Sequence, residues 1–222
     1  MSIIFNNIDK MSFDDLGEES EFIPLMTSED EEALEKESLP EVLPILPLTN
    51  TVLFPGVVIP INAGRDKSIK LINDANKSNK LIGVVAQKNS KIENPTIENI
   101  YGIGTVAKIL RVLKMPDGNT TVIIQGKKRF KIKSVVKTDP YIQATIDPVS
   151  DKSQKKSDSN FLATIDAIKD IALKIIKENP NIPSEASFAI KNIHSSTFLI
   201  NFVCSNMNIT VKDKQELLSS IS

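Results

Sequence analysis

Leu46-Pro47-Leu48-Thr49-Asn50-Thr51-Val52-Leu53-Phe54-Pro55-Gly56-Val57-Val58-Ile59-Pro60 is an apolar run which, with Pro44 just upstream, is cut by four prolines. Proline removes a backbone donor and locks φ, so neither a helix nor a central strand accommodates such a run. The reading is an extended, kinked path near a sheet edge. Short pieces at Val42–Leu48 and Val57–Ile61 flank a turn at Phe54-Pro55-Gly56. Leu48, Val52, Phe54 and Pro55 then either seal the end of a β layer or stand out as an apolar ridge that other apolar surfaces can meet.

Downstream the pattern stays β-rich, with one helix. Asp66–Lys77 has helical spacing in Ile69, Ile72 and Asn76, flanked by Leu71 and Ala75, and Leu81–Ala86 reads as a buried strand. Gly104–Leu113 and Thr120–Gln125 flank Met115-Pro116-Asp117-Gly118-Asn119, which reads as a hairpin turn. In Lys127–Lys137, Phe130, Ile132, Ser134 and Val136 alternate with Lys127, Arg129, Lys131, Lys133 and Lys137. Tyr141–Asp147 completes the set, with Ile142, Ala144 and Ile146 on one face. Residues 41–149 are therefore expected to form a small closed or nearly closed β-barrel with one helix.

Residues 150–159 contain nothing to bury and read as a linker. The period then becomes helical. Phe161, Ile165, Ile168, Ala172 and Ile175 form one stripe, widened by Leu162 and Ile171, and Asn179-Pro180 ends it. Pro183, Ser184 and Glu185 open a second helix running through Ile193. Ser195 or Ser196 caps a third, which carries Phe198, Leu199, Phe202 and Val203, and Thr210 caps a fourth. Residues 160–222 read as a helical bundle, so the fold class is α+β.

Residues 1–40 are an acidic leader, expected to be disordered. Residues 1–43 hold thirteen Asp/Glu against two Lys, while residues 44–222 hold fifteen Asp/Glu against twenty-five Lys/Arg. The overall charge of −1 hides this polarity. The start of the chain lacks the basic flank and apolar run of a signal peptide. No apolar run approaches the ~20 residues that span a bilayer. The single cysteine, Cys204, forms no internal disulfide, which favours a reducing, cytoplasmic setting.

The residues supply no catalytic machinery. Gly126-Lys127-Lys128 lacks the hydroxyl residue and the upstream glycine of a phosphate loop. Gly102-Ile103-Gly104 matches a loose dinucleotide pattern but leads into β-branched residues where a helix would have to start. His194 is the only histidine, so no histidine cluster holds a metal, and it is expected to cap carbonyls or face solvent. Cys204 reads as a small core residue. Lys127, Arg129, Lys131 and Lys133 are either lysine-type protection of an edge strand or an anion-binding face, for nucleic acid or for the acidic leader.

In order and spacing, several blocks resemble the amino-terminal domain of the Lon family of ATP-dependent proteases. They include Leu46-Pro47-Leu48 with Phe54-Pro55-Gly56, Gly64-Arg65-Asp66-Lys67-Ser68, Val84-Val85-Ala86-Gln87-Lys88 and Tyr101-Gly102-Ile103-Gly104. Gly126-Lys127-Lys128-Arg129-Phe130, Asn179-Pro180-Asn181-Ile182-Pro183 and Lys212–Leu218 follow. Thr49-Asn50 departs from the charged pair often found there. The resemblance implies a PUA-like β domain followed by helices. It also implies recognition of unfolded or damaged polypeptides and contact with other subunits of a homo-hexamer. The chain itself is then a non-catalytic fragment with no cofactor. ATP, Mg and the Ser/Lys peptidase chemistry are implied for domains outside it. A free-standing PUA-like nucleic-acid-binding module using the Lys127–Lys137 face is the alternative, and no membrane partner is implied.

Overall fold

The computed structural model describes residues 38–114, 120–149, 159–180, 182 and 185–220. The leader up to residue 37, the 115–119 turn and residues 150–158 of the linker lie outside the described residues.

The proline-rich run begins with β1 (Val42–Leu48), which is not at an edge. Its first half pairs with β6 (Gln143–Pro148) and its second half, in parallel, with β3 (Leu81–Ala86). The prolines survive there because the side that each missing N–H would face carries no pairing at that point. Ile45 N–H donates to Ile142 O at 2.8 Å, so N–H groups of residues 43, 45 and 47 aim towards β6. The missing donor of Pro47 therefore points past the end of the β6 pairing, which stops at Pro44. The missing donor of Pro44 points to the β3 side, before that pairing starts at Ile45. Pro60 behaves as expected: it lies in β2 (Val58–Ala63), the terminal strand of the sheet order.

The remaining strands are β4 (Ile103–Lys114) and β5 (Thr120–Lys137), joined as an antiparallel pair from Lys114↔Thr120 onwards. The order is β2-β5-β4-β3-β1-β6, and β6 pairs again with β5. Two strands were expected where β5 runs unbroken for 18 residues. A register shift sets Lys127 and Lys128 opposite Val106, and this bulge bends the strand without ending it. Inward alternation also stops after Ile132, because further shifts follow and Val136 is exposed.

Period-two geometry sends the β1 side chains to opposite faces. Leu43 and Ile45 join Val85, Val106, Phe130 and Ala144 in one cluster. Leu46 and Leu48 join a second cluster with Val52, Phe54, Ile59, and Leu71 and Ile72 of α1 (Asp66–Asn76). That second cluster continues into the carboxy-terminal helices α2 (Ser159–Glu178), α3 (Glu185–Asn192), α4 (Ser196–Asn206) and α5 (Val211–Ser219). Ile165, Ile190, Phe198, Leu199 and Leu218 are their main contributions. Ser195 caps α4, its Oγ accepting from Phe198 N–H at 2.9 Å, and Thr210 caps α5 in a reciprocal box with Asp213.

Candidate functional site

The Phe54-Pro55-Gly56 turn is clamped against β5 rather than held out from the body. Gly56 N–H donates to Gly126 O and Gly126 N–H to Val57 O, both at 2.9 Å. Gly56 takes a left-handed φ of 78°. A Cβ at Gly126 would run into the Phe54 carbonyl, so only glycine permits this approach. The buried Thr105 hydroxyl, on β4, donates to Leu53 O at 2.6 Å. Leu48, Val52 and Phe54 are only 7%, 2% and 2% exposed. The expected ridge is thus core: these three side chains seal the second cluster, and only Pro55 is half-exposed.

Thr49 lies in a polar network with Arg65 and Gln87. Thr49 Oγ1 donates to Gln87 Oε1 and accepts from Arg65 Nη2, both at 3.3 Å. Arg65 also donates to Ile92 O at 3.3 Å, and the buried Gln87 donates to Asn89 O and Ile92 O at 3.3 and 3.0 Å. The loop after β3 is therefore held by one threonine, one arginine and one glutamine.

The basic residues of β5 divide by role. Arg129 is committed internally: Nη1 donates to Leu218 O and Ser220 O at 2.8 and 2.7 Å, taking the carbonyls that end α5. Gln215 supports the same junction, its Nε2 donating to Ile103 O at 3.0 Å. Lys127 and Lys128 occupy the bulge. Lys131 and Lys133 are exposed, and Lys133 lies 3.7 Å from Asp147. Protection of a free edge describes Lys133 and Lys137, which among the described residues have only β6 beside them, but not Lys127 to Lys131, which lie in the span that β4 also pairs. The four residues expected to share one role do not share it.

Gly104 is paired with Phe130 within β4, so the glycine-rich match opens a strand and not a helix. His194 is exposed between α3 and α4. Cys204 is half-buried, and burial pushes its thiol pKa up, which keeps it protonated and poorly nucleophilic. Lys214 is buried against it; its Nζ donates to Ser205 O, and burial pushes the ammonium pKa down. The Tyr141 hydroxyl is raised by burial and by donating to Asp74 Oδ2 at 3.1 Å, which ties the approach to β6 to α1.

Sequence reading missed the apolar surface of the helical part. Of the twenty residues of α2 only Ile165 is buried, with Phe161, Ala172, Leu173 and Ile176 half-buried around it. Ile171 and Ile175, expected on the packed stripe, are 59% and 49% exposed, and Phe188 on α3 is 63% exposed. An open cleft of about 430 Å³ between α2 and α3 is lined by Leu173, Ile176, Lys177, Pro180, Ile182 and Lys191. At about 100° per residue the apolar residues of α2, from Ile171 round to Leu173, cover more than half of its circumference, so spacing did not single out the packed stripe.

Among the described residues no group of three metal-ligating side chains occurs, and no helix is long and apolar enough to cross a membrane. Residues 42–222 match the family described as the ATP-dependent protease La (LON) substrate-binding domain. The chain is 63% identical to a Lon protease of Flavobacterium johnsoniae over 96% of its own length and 26% of the relative's. To the Lon protease of Cytophaga hutchinsonii it is 50% identical, covering 89% of this chain and 24% of that protein. The chain therefore spans about a quarter of the length of these relatives. Among solved structures, the N-terminal domain of Mycobacterium avium complex Lon protease superposes with a TM-score of 0.66 at 20% identity, over 82% of this chain and 91% of that one. A Lon N-terminal domain protein from Xanthomonas campestris gives 0.59 at 14% identity, over the same two shares. With the family matched over 181 of its 222 residues, this chain belongs to the Lon substrate-binding domain family.

Proposed function

We propose that this chain is the substrate-recognition and subunit-contact part of a Lon-type ATP-dependent serine protease that degrades misfolded and regulatory proteins in the cytoplasm. The observation carrying this reading is the family match over residues 42–222 at high identity to full-length Lon proteases. The peptidase, and the ATPase with its ATP and Mg, belong to segments outside this chain, and the whole protein works as a homo-hexamer. The returning β5–β6 pairing supports a closed, PUA-like barrel as the rigid base.

The exposed apolar residues supply the contact chemistry. Ile171 and Ile175 lie about one turn apart on α2, and Phe188 is exposed on α3. Unfolded polypeptide differs from folded protein in offering apolar side chains, and exposed apolar surface of this kind binds them weakly. Six copies in a ring raise the overall affinity without strengthening any one contact. Nucleic-acid recognition is the weaker reading, because Arg129 is turned inward to cap α5.

In the full-length protease, I171S/I175S/F188S is expected to raise the KM for an unfolded protein several-fold while leaving hydrolysis of a short peptide and basal ATPase unchanged. Unchanged protein degradation would remove these residues from the proposal. Peptide hydrolysis by the isolated 222-residue chain would overturn the non-catalytic assignment.

A further inference from the structure

The charge polarity of the chain and the path of β1 set the end of an acidic stretch of sequence close to the basic face of β5. Ile146 N–H donates to Glu41 O at 3.0 Å, so the chain still runs alongside β6 as it enters the fold. Leu39 packs against the cluster that holds Phe130. On the other side of β6, Ile146 is paired with Ile132 and Asp147 with Lys131. Residue 41 thus lies two strand spacings, or about 10 Å, from the middle of the basic stretch of β5. Lys131, Lys133 and Lys137 are exposed there. Among the described residues only Asp147 forms an ion pair on this face, with Lys133.

Immediately upstream stand Glu29-Asp30-Glu31-Glu32, Glu35 and Glu37, six carboxylates in nine residues. Nine residues reach up to about 30 Å when extended, ample for the distance. We propose that this acidic segment, Glu29–Glu37, docks on the face carrying Lys131, Lys133 and Lys137 of the same chain, as an intramolecular cap that keeps other polyanions away. Single exposed ion pairs are weak, but a short tether holds the segment at an effective concentration in the millimolar range. Salt weakens the cap, since every contact in it is exposed. The inference does not depend on the polypeptide-binding role.

The test is cleavage of the full chain by a glutamate-specific protease, with mass spectrometry following cuts after residues 29–37. A free peptide of residues 26–40 serves as the undocked reference. At low salt the native segment is expected to be cut about fivefold more slowly than the peptide. At 0.5 M NaCl, and in K131Q/K133Q/K137Q with its far-UV circular dichroism intact, the two rates are expected to converge. Equal rates at low salt overturn the proposal. Slow cleavage that neither salt nor the triple substitution relieves overturns it as well, because the segment is then held elsewhere. The salt arm uses the native chain, so it stands even if the triple variant does not fold.

Discussion

The strand ring and the carboxy-terminal helices bury apolar surface in different ways. Within the ring, Leu43, Ile45, Val85, Val106, Phe130 and Ala144 are all essentially inaccessible. In α2, an equally apolar-looking segment leaves Leu162, Ile171 and Ile175 at the surface. A strand sends alternate side chains to two faces, and each face is buried where a layer covers it, both of them in the case of β1, so alternation decides which cluster each residue joins. A helix touches its neighbours along one stripe, and apolar residues outside that stripe remain available to something else. In the strands the exposed large apolar residues among those described are Val42, Leu110, Val135 and Val136, whereas α2 and α3 expose the mostly larger Leu162, Ile171, Ile175 and Phe188.

The comparison is broken most directly at Phe130. Phe130→Ala is expected to destabilise the chain by ~3–5 kcal/mol, because it empties the centre of a closed cluster. Urea unfolding followed by far-UV circular dichroism should show strand and helix signals lost in one transition, since the second cluster spans both regions. Helices that persist after the strands melt would show two independent units.

Arg129→Gln probes the junction. It removes charge-assisted bonds to two carbonyls of α5 and is expected to lower stability by ~1–2 kcal/mol. Amide exchange should speed up over residues 211–220 and stay unchanged in β4. Uniform acceleration would mean that the guanidinium supports the whole fold and not one helix end.

The smallest effect is a pH profile. Burial lowers the Lys214 pKa, so between that value and the usual lysine range the unfolded chain binds more protons than the folded one. Stability attributable to Lys214 therefore rises with pH through this window. Relative to Lys214→Met, the native chain is expected to gain stability in denaturant melts as pH climbs from neutrality towards that range. The Cys204 and Tyr141 pKa values, both raised, bend both profiles the other way and largely cancel in the difference. A flat difference would place the ammonium in water.

Much of the framework was legible. β1, β3 and the helix over residues 66–76 followed from apolar spacing, and the Ser195 and Thr210 caps followed from side chains that accept a backbone N–H. The misread features all depend on partners distant in sequence. Phe54 looks like a surface ridge until Gly126 admits its carbonyl, 72 positions away. Arg129 looks like one of four equal cations until the carbonyls of Leu218 and Ser220 arrive beside it.

Local chemistry in the chain itself determined where strands, turns and helix starts lie, because alternation, proline and capping act over a few residues. It also set the family, through the order of blocks from Leu46 to Leu218. Tertiary structure alone decided which apolar residues are hidden and which cations are free. Burial and ion pairing belong to pairs of surfaces, and the second surface is brought in by the fold.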